Sequence, residues 1–390
     1  MRTSGTYAFP PMDRVIYGRP HAEALAEEVA RLGKERVFLM VSRTLNTKTN
    51  EIARVRDALG PRFVGQYDRV PQHTSRTEVV EAGLAARGAR ADLIVAIGGG
   101  SVVDAAKMVL VCMEHRVTDI DQIDPFVIKP GPGGRLIRPE YRGPSVRMIA
   151  VPSTLSGGEY NAGTLVTDPR HKLKETFFHE LMMPVAIILD PALTVHAPEQ
   201  LWLGSGTRAM DHGIEGLLSP RGTPLTDAAV LRGIRLLAEG LRRSKHAPDD
   251  MGARAQCQFG SWLASFGLQA RVGMGASHAI GHVLGGTCDV PHYLCTPVMM
   301  PSVLRYNKPV TEEAQALLAE ALGRPGMEAA DAFAELVADL GLPGRLRDVG
   351  VTAEQFALIG RNTMTEFFIF LNPRKVKGPE DVVEILKMAA

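Results

Sequence analysis

Continuous apolar runs of strand length alternate with helically spaced apolar positions through the first half of the chain. Arg36–Val41 (RVFLMV) and Asp92–Ile97 (DLIVAI) have few polar interruptions, as expected of strands buried on both faces. Arg147–Val151 and Val185–Leu189 have the same texture. His21–Leu32, stopped by Gly33, and Arg76–Arg87 carry helical periodicity, and so does Ser101–Cys112, directly after Gly98–Gly100. Strands separated by helices predict βαβ units and a mainly parallel sheet. After about His196 the strand texture fades. Helical patterns then follow one another over Gly206–Leu218, Pro224–Arg243, Met251–Val272, Ser277–Leu284, Thr311–Leu322, Met327–Leu340 and Thr352–Asn362. We therefore expect an α/β domain over residues 1–195 and an all-helical domain over 196–390, with the boundary in LDPALTVHAPEQ. The Gly/Pro-rich segment Lys129–Gly143 reads as a long surface loop.

Composition narrows the class. The 390 residues include 44 Lys and Arg against 43 Asp and Glu, a formal charge of +1, so no global field would attract nucleic acid or an anionic membrane. With 45% hydrophobic and 22% charged residues the chain lies in the globular range. Its apolar runs, such as Met182–Leu189, are far shorter than the ~18–20 residues that span a bilayer. Met1–Pro10 lacks the apolar core of a signal peptide. Cys112, Cys257, Cys288 and Cys295 show no metal or disulfide spacing. A soluble, cytoplasmic, multi-domain protein without nucleic-acid or membrane partners is expected.

Two motifs carry candidate chemistry. The first is the strand–GGGS–helix unit, in which Gly98, Gly99, Gly100 and Ser101 follow Asp92–Ile97. Glycines at a strand-to-helix turn admit a ligand close to the backbone, and the positive helix end suits a pyrophosphate. Ser101 could cap the helix or donate to a phosphate oxygen. The unit matches neither GxGxxG nor the P-loop pattern, and a tight turn without a ligand would use the same residues. The second motif is a set of histidines. His278 and His282 are spaced i, i+4 on one helix, ended by Gly285–Gly286, and so share a face. His292 follows Pro291 in the next loop, 14 residues after His278, and His212 lies on a separate helix. Several neutral imidazoles suit a divalent transition metal or an acid/base cluster, whereas any one of them alone reads as an ordinary hydrogen-bonded side chain. Asp211 reads as facing solvent, Arg208 as a surface ion-pair partner on the His212 face, and Cys288 and Cys295 as packing residues.

With GGGSVVDAAK, LDPALT, AMDHGIE, GASHAIGHVLGG and DVPHYLCTPVMMPSVLRYN in that order, the chain resembles the iron-containing (group III) alcohol dehydrogenases from about Val15 onward. HVLGGT, the Pro-His pair and Asn372-Pro373-Arg374 resemble most the maleylacetate reductase branch. The resemblance implies a dehydroquinate synthase-like architecture, with a nucleotide-binding α/β domain, a helical domain and an active site in the cleft between them. It implies NAD(P)H at Gly98, Gly99, Gly100, Ser101, Asp104, Ser153 and Thr154, with Lys107 completing the glycine motif. It also implies iron or zinc at His212, His278 and His292, with His282 close to the substrate.

Three departures qualify it. The family's fourth metal ligand, an Asp four residues before the first His, is Arg208 here. A guanidinium cannot coordinate a cation and repels one, and the maleylacetate reductases likewise lack that Asp and are regarded as metal-independent. The acidic reader of the adenosine ribose is replaced by Ser42 followed by Arg43, which would tolerate a 2′-phosphate. The usual threonine-rich loop reads PSTLSGGEYN.

The reading is an NAD(P)-dependent oxidoreductase, expected as a homodimer, that moves hydride between nicotinamide and a small carbonyl or alcohol. His282, His278 and Arg208 supply the proton and the charge stabilisation. The alternatives are a maleylacetate reductase acting on a C=C bond of a dicarboxylate, a dehydroquinate-synthase-type lyase that uses NAD transiently, and a non-enzymatic binding module.

Overall fold

Among the described residues, ten strands belong to the first half of the chain: β1 (Arg14–Tyr17), β2 (Val37–Val41), β3 (Phe63–Tyr67), β4 (Leu93–Gly98), β5 (Lys129–Pro130), β6 (Leu136–Ile137), β7 (Arg147–Pro152), β8 (Gly163–Asp168), β9 (Leu173–Phe178) and β10 (Ala186–Leu189). Six of them form one sheet in the order β1-β10-β7-β4-β2-β3, and every pairing is parallel. The structure is a computed structural model that describes residues 7, 9–71, 74–131, 136–171 and 173–390. Two compact units account for it, one built on Phe9–Lys129 with Leu136–Ala197, the other on Pro198–Ala390.

In the first unit, β2 and β4 are buried along their whole length, because helices cover both faces of a parallel sheet. Alternate residues face opposite sides. Val37, Leu39, Val41, Leu93, Val95, Ile97, Ile149 and Val151 join a core completed by α1 (His21–Arg31), α2 (Arg43–Lys48) and α3 (Glu51–Leu59). The unit also contains α4 (Arg76–Gly88), α5 (Gly100–Glu114) and the short α6 (Pro191–Thr194), and α5 packs on β2, β4 and β7. The parallel βαβ expectation holds. Pattern reading missed β1, four residues long and opening on Arg14, β3, interrupted by Gly65 and Gln66, and the antiparallel β8–β9 hairpin, whose strands are rich in polar residues. The expected loop over Lys129–Gly143 contains the β5–β6 pair, while its residues 132–135 lie outside the described set.

The second unit is helical: α7 (Glu199–Leu218), α8 (Pro224–His246), α9 (Met251–Ala264), α10 (Phe266–Gln269), α11 (Ala276–Cys288), α12 (His292–Ala321), α13 (Ala329–Asp339), α14 (Phe356–Thr363) and α15 (Pro379–Met388). Every residue of α7 from Trp202 to Leu218 is buried, so this helix forms the centre of the unit. α8 and α9 cross closely because a methyl group at Gly233 would lie 2.5 Å from the Ala264 amide nitrogen.

Two boundaries need correction. Gly285 and Gly286 do not end α11, which runs to Cys288 and stops at Asp289 in the left-handed region (φ 54°). His292 is not in a loop but opens α12, with Pro291 at the cap position. Pro297, Pro301 and Pro309 hid that helix from pattern reading, since interior prolines remove hydrogen bonds. The chain tolerates them, with non-helical backbone at Thr311.

Candidate active site

In the α/β unit the turn between β4 and α5 is built from glycine. Gly99 occupies the cap position of α5 and no side chain caps the helix. Ser101 therefore does not act as the cap, because it is the second helical residue and a cap must precede the first. The first-turn amides lack intrahelical acceptors and point beyond the carboxyl end of the sheet. A methyl group at Gly98 would lie 2.9 Å from Val102 Cγ2, and one at Gly100 2.9 Å from Ser156 Oγ. Those two glycines are explained by the protein's own packing. At Gly99 the nearest atoms, on Thr154, would be 3.5 Å away, an ordinary contact. Packing against the protein's own atoms therefore does not account for Gly99.

Around it, the Ser42 amide donates to Ile97 O at 2.9 Å and the Ser153 amide to Gly98 O at 2.9 Å. Ser42, Ser153 and Thr154 thus gather at the turn, and Arg43 is exposed at the start of α2. Ser156 was not singled out from the sequence. Its Oγ is buried without a hydrogen-bond partner among the described residues, a donor in want of an acceptor beside Gly100. The turn fits a dinucleotide pyrophosphate. Lys107 serves another purpose, for its fully buried amine donates to Gly158 O and Gly163 O, both at 2.7 Å, and ties that loop to α5. Burial lowers the Lys107 amine, raises Asp104, and lifts the buried Glu159 carboxyl to about 7.

In the helical unit the four histidines form a chain of rings. His212 lies 5.1 Å from His278 between centroids, His278 lies 6.4 Å from His282, and His282 stacks on His292 at 5.7 Å. Phe368 packs against both His278 and His282. Carboxylates absent from the sequence reading hold the rings. Glu215 Oε2 lies 2.6 Å from His278 Nδ1 and accepts the Gly275 amide at 2.7 Å, while Oε1 accepts the Ser277 amide at 2.7 Å. Glu215 therefore satisfies the orphan donors that open α11 and orients its first histidine. Glu366 Oε2 lies 3.1 Å from His282 Nδ1.

Asp211 and Arg208 are corrected from surface groups to buried ones, with residue exposures of 0% and 5%. α7 is central, so no face of it is left for solvent. Arg208 Nη1 donates to Asp211 Oδ2 at 2.8 Å, and that oxygen also accepts from Ser277 Oγ at 3.0 Å and Thr296 Oγ1 at 2.7 Å.

Electrostatics divides the rings. Burial, helped by His278 and Arg208, depresses His212 well below the ordinary imidazole value. Burial also depresses His282, because the single Glu366 carboxylate does not offset it. For His278 burial and Arg208 act in the same direction, but Asp211 and Glu215 outweigh them and raise the imidazole. Burial would raise Asp211, yet His278, Arg208 and Thr296 hold it below the usual carboxylate range.

Family comparison fits this arrangement. The family described as iron-containing alcohol dehydrogenase matches residues 11–191, and the C-terminal part of the Fe-containing alcohol dehydrogenase family matches residues 203–390. A maleylacetate reductase of a Pseudomonas sp. is 31% identical over 88% of this chain and 86% of its own length. The chain belongs to the iron-containing alcohol dehydrogenase family. The lactaldehyde reductase of Escherichia coli is 28% identical over 96% of this chain and 97% of its own. Among solved structures, a 1,3-propanediol oxidoreductase superposes with a TM-score of 0.88 at 26% identity, covering 99% of this chain and 100% of that one. This iron-containing alcohol dehydrogenase family member is an NAD(P)-dependent oxidoreductase with the α/β-plus-helical fold of its relatives.

The family name raises the question of metal, and this chain's side chains answer it. Among the described residues, the ligand atoms that gather within 4.8 Å of one another belong to Asp211, Glu215 and His278, not to His212, His278 and His292. Some of their lone pairs are engaged, although Asp211 Oδ1 and His278 Nε2 are buried without a hydrogen-bond partner among the described residues. Asp211 Oδ2 takes three hydrogen bonds, and Glu215 takes two amides besides His278 Nδ1. Arg208 adds a buried positive charge that acts on His212, His278 and His282 alike. The buried Arg208 charge, and not a shortage of donor atoms, is what disfavours a divalent cation here.

Proposed function

We propose that this oxidoreductase reduces a small carbonyl substrate that carries an anionic group, and does so without a metal. The observation that carries the reading is Arg208. Its guanidinium is 5% exposed, lies among the histidines, and uses only Nη1 on a protein acceptor among the described residues. A buried guanidinium with donors to spare suits a carboxylate or a developing alkoxide. Residues 1–195 would bind NAD(P)H through Ser42, Gly98–Ser101, Asp104, Ser153, Thr154 and Ser156, and residues 196–390 would take the substrate. The nicotinamide, when bound, supplies the hydride. His282 gives the proton and Arg208 holds the negative charge. His278, kept basic by Glu215 and Asp211, is the reserve proton carrier. The 31% identical maleylacetate reductase supports a second reading, reduction of a C=C bond in a dicarboxylate, which Arg208 would serve equally.

Ser42 and the exposed Arg43 support NADPH acceptance at least equal to that of NADH. All four cysteines are free, which agrees with a cytoplasmic setting. No helix among the described residues is long and apolar enough to cross a membrane. The edge position of β1, with Tyr17 55% exposed, supports a homodimer.

The test is NADH and NADPH oxidation against neutral aldehydes, keto acids and maleylacetate, with and without chelator. We expect turnover of acidic substrates that survives chelation. Arg208→Met should raise KM for them about a hundredfold, the cost of one charge-assisted bidentate contact. Loss of activity on chelation, or equal KM values for Arg208→Met, would overturn the reading.

A further inference from the structure

His282 and Glu366 are 84 residues apart in the chain, and no sequence motif joins them. The structure brings them together through the segment after α14. Glu366 follows a tight turn in which its amide donates to Thr363 O at 3.0 Å, and Ile369 N donates to Glu366 O at 3.3 Å. The same segment places Phe368 5.9 Å from the His282 ring and 6.1 Å from His278. His292 stacks on His282, with the planes 30° apart. The ring is thus fixed in position by Phe368 and His292. What remains to be set is which nitrogen carries the proton.

A carboxylate oxygen accepts and does not donate, so Glu366 Oε2 at 3.1 Å requires a proton on His282 Nδ1. The neutral ring then leaves Nε2 as the nitrogen that exchanges a proton, and Nε2 makes no hydrogen bond with the described residues. His278 is arranged otherwise. Its Nδ1 is committed to Glu215, and its Nε2 is fully buried without a partner. The Glu366 contact thus sets which nitrogen of His282 keeps a fixed proton.

We propose that Glu366 is a positioning residue for His282: by accepting from Nδ1–H it makes Nε2 the nitrogen that takes up a proton and passes it to the substrate oxygen. This rests on the assignment of His282 as proton donor in the proposed function. When the oxygen takes the Nε2 proton of the imidazolium, the ring returns to the Nδ1–H form that Glu366 stabilises. A proton from solvent then restores the imidazolium, so no further reactant is needed.

The experiment has a spectroscopic arm and a kinetic arm. In protein labelled with 15N-histidine, long-range 15N–1H correlation of His282 should show the Nδ1–H tautomer. Glu366→Ala should shift it toward Nε2–H. Glu366→Gln should keep it, because the amide oxygen can still accept. In turnover, Glu366→Ala should lower kcat by about ten- to a hundredfold, within the range of acid–base contributions, and change KM for NAD(P)H less than about twofold. Glu366→Gln should recover most of kcat. The double variant Glu366→Ala/His282→Ala should be no slower than His282→Ala alone. An unchanged tautomer in Glu366→Ala, a Gln variant as slow as the Ala variant, or additive losses in the double variant would each overturn the proposal. If the unmutated protein reduced no carbonyl compound, the proposed function would fail, while the tautomer of His282 would still decide the role of Glu366.

Discussion

α11 carries two imidazoles one turn apart, on one face, each with Nδ1 against a carboxylate, and the two are driven in opposite directions. His278 meets Glu215 at 2.6 Å and Asp211 at 3.4 Å, and the side chains of both acids are at most 4% exposed. His282 meets only Glu366 at 3.1 Å, and that side chain is 30% exposed. Burial penalises the charged form of both rings. Two sealed carboxylates overcome it at His278, whereas one half-wet carboxylate, screened by solvent, does not at His282. Proximity to one acid therefore does not define a histidine's charge; the number of carboxylates that face it and their burial do. In this site one ring is set to hold a proton and its neighbour to exchange one.

The most disruptive way to break the contrast is Glu215→Ala. It removes a carboxylate that accepts two backbone amides and His278 at once, and leaves those donors buried. Breaking a buried pair of this kind costs about 3–5 kcal/mol, read as a lowered midpoint in urea unfolding. A loss below about 1 kcal/mol would mean that Glu215 does not organise the start of α11.

Much of this site was legible in the sequence, and the gaps have physical causes. The shared face of His278 and His282 follows from helical spacing alone, and the GGGS turn from its place between a strand and a helix. Glu215 was invisible because its contacts lie 60 to 63 residues away, and an acid inside a helical pattern ordinarily faces water. Asp211 and Arg208 were assigned to the surface for the same reason. Nothing in α7's composition announces that the whole helix is enclosed; its glycines and small residues only permit it. Glu366 belongs to no motif, so only tertiary structure could pair it with His282.

A smaller effect lies in the pH dependence of stability, and its sign differs between the rings. His278 is raised, so its contribution is complete below the ordinary value of 6.5 and is lost as pH rises through the raised value. His212 and His282 are lowered, so the unfolded chain binds protons more readily and stability falls as pH drops below 6.5 toward their depressed values. Each group can contribute a slope of up to about 1.4 kcal/mol per pH unit within its window. Urea unfolding at several pH values should therefore show a decline on both sides of neutrality. His212→Gln should flatten the acid side, whereas His278→Gln should remove the alkaline decline and also weaken the acid one, because His278 helps to depress His212 and His282. Parallel curves for the two variants would remove the distinction between the rings.

The smallest expected effect is the stability of Glu366→Ala, and it is the sharpest check of the contrast. Among the described residues the Glu366 carboxylate makes one side-chain contact, to a ring that Phe368 and His292 already hold by packing. Its carboxylate is 30% exposed and, once removed, leaves His282 Nδ1 within reach of water. A partly solvated pair of this kind is worth at most about 1 kcal/mol, several times less than the loss expected at Glu215. The two carboxylates should thus separate cleanly. Glu215→Ala should lower both stability and turnover, whereas Glu366→Ala should lower turnover with the unfolding midpoint nearly unchanged. Raising the salt concentration should shrink the Glu366 effect on stability further, because exposed charges are screened. Were Glu366→Ala to cost as much stability as Glu215→Ala, its carboxylate would be a structural support like Glu215, and the difference in solvent access between the two pairs would not be what divides their chemistry.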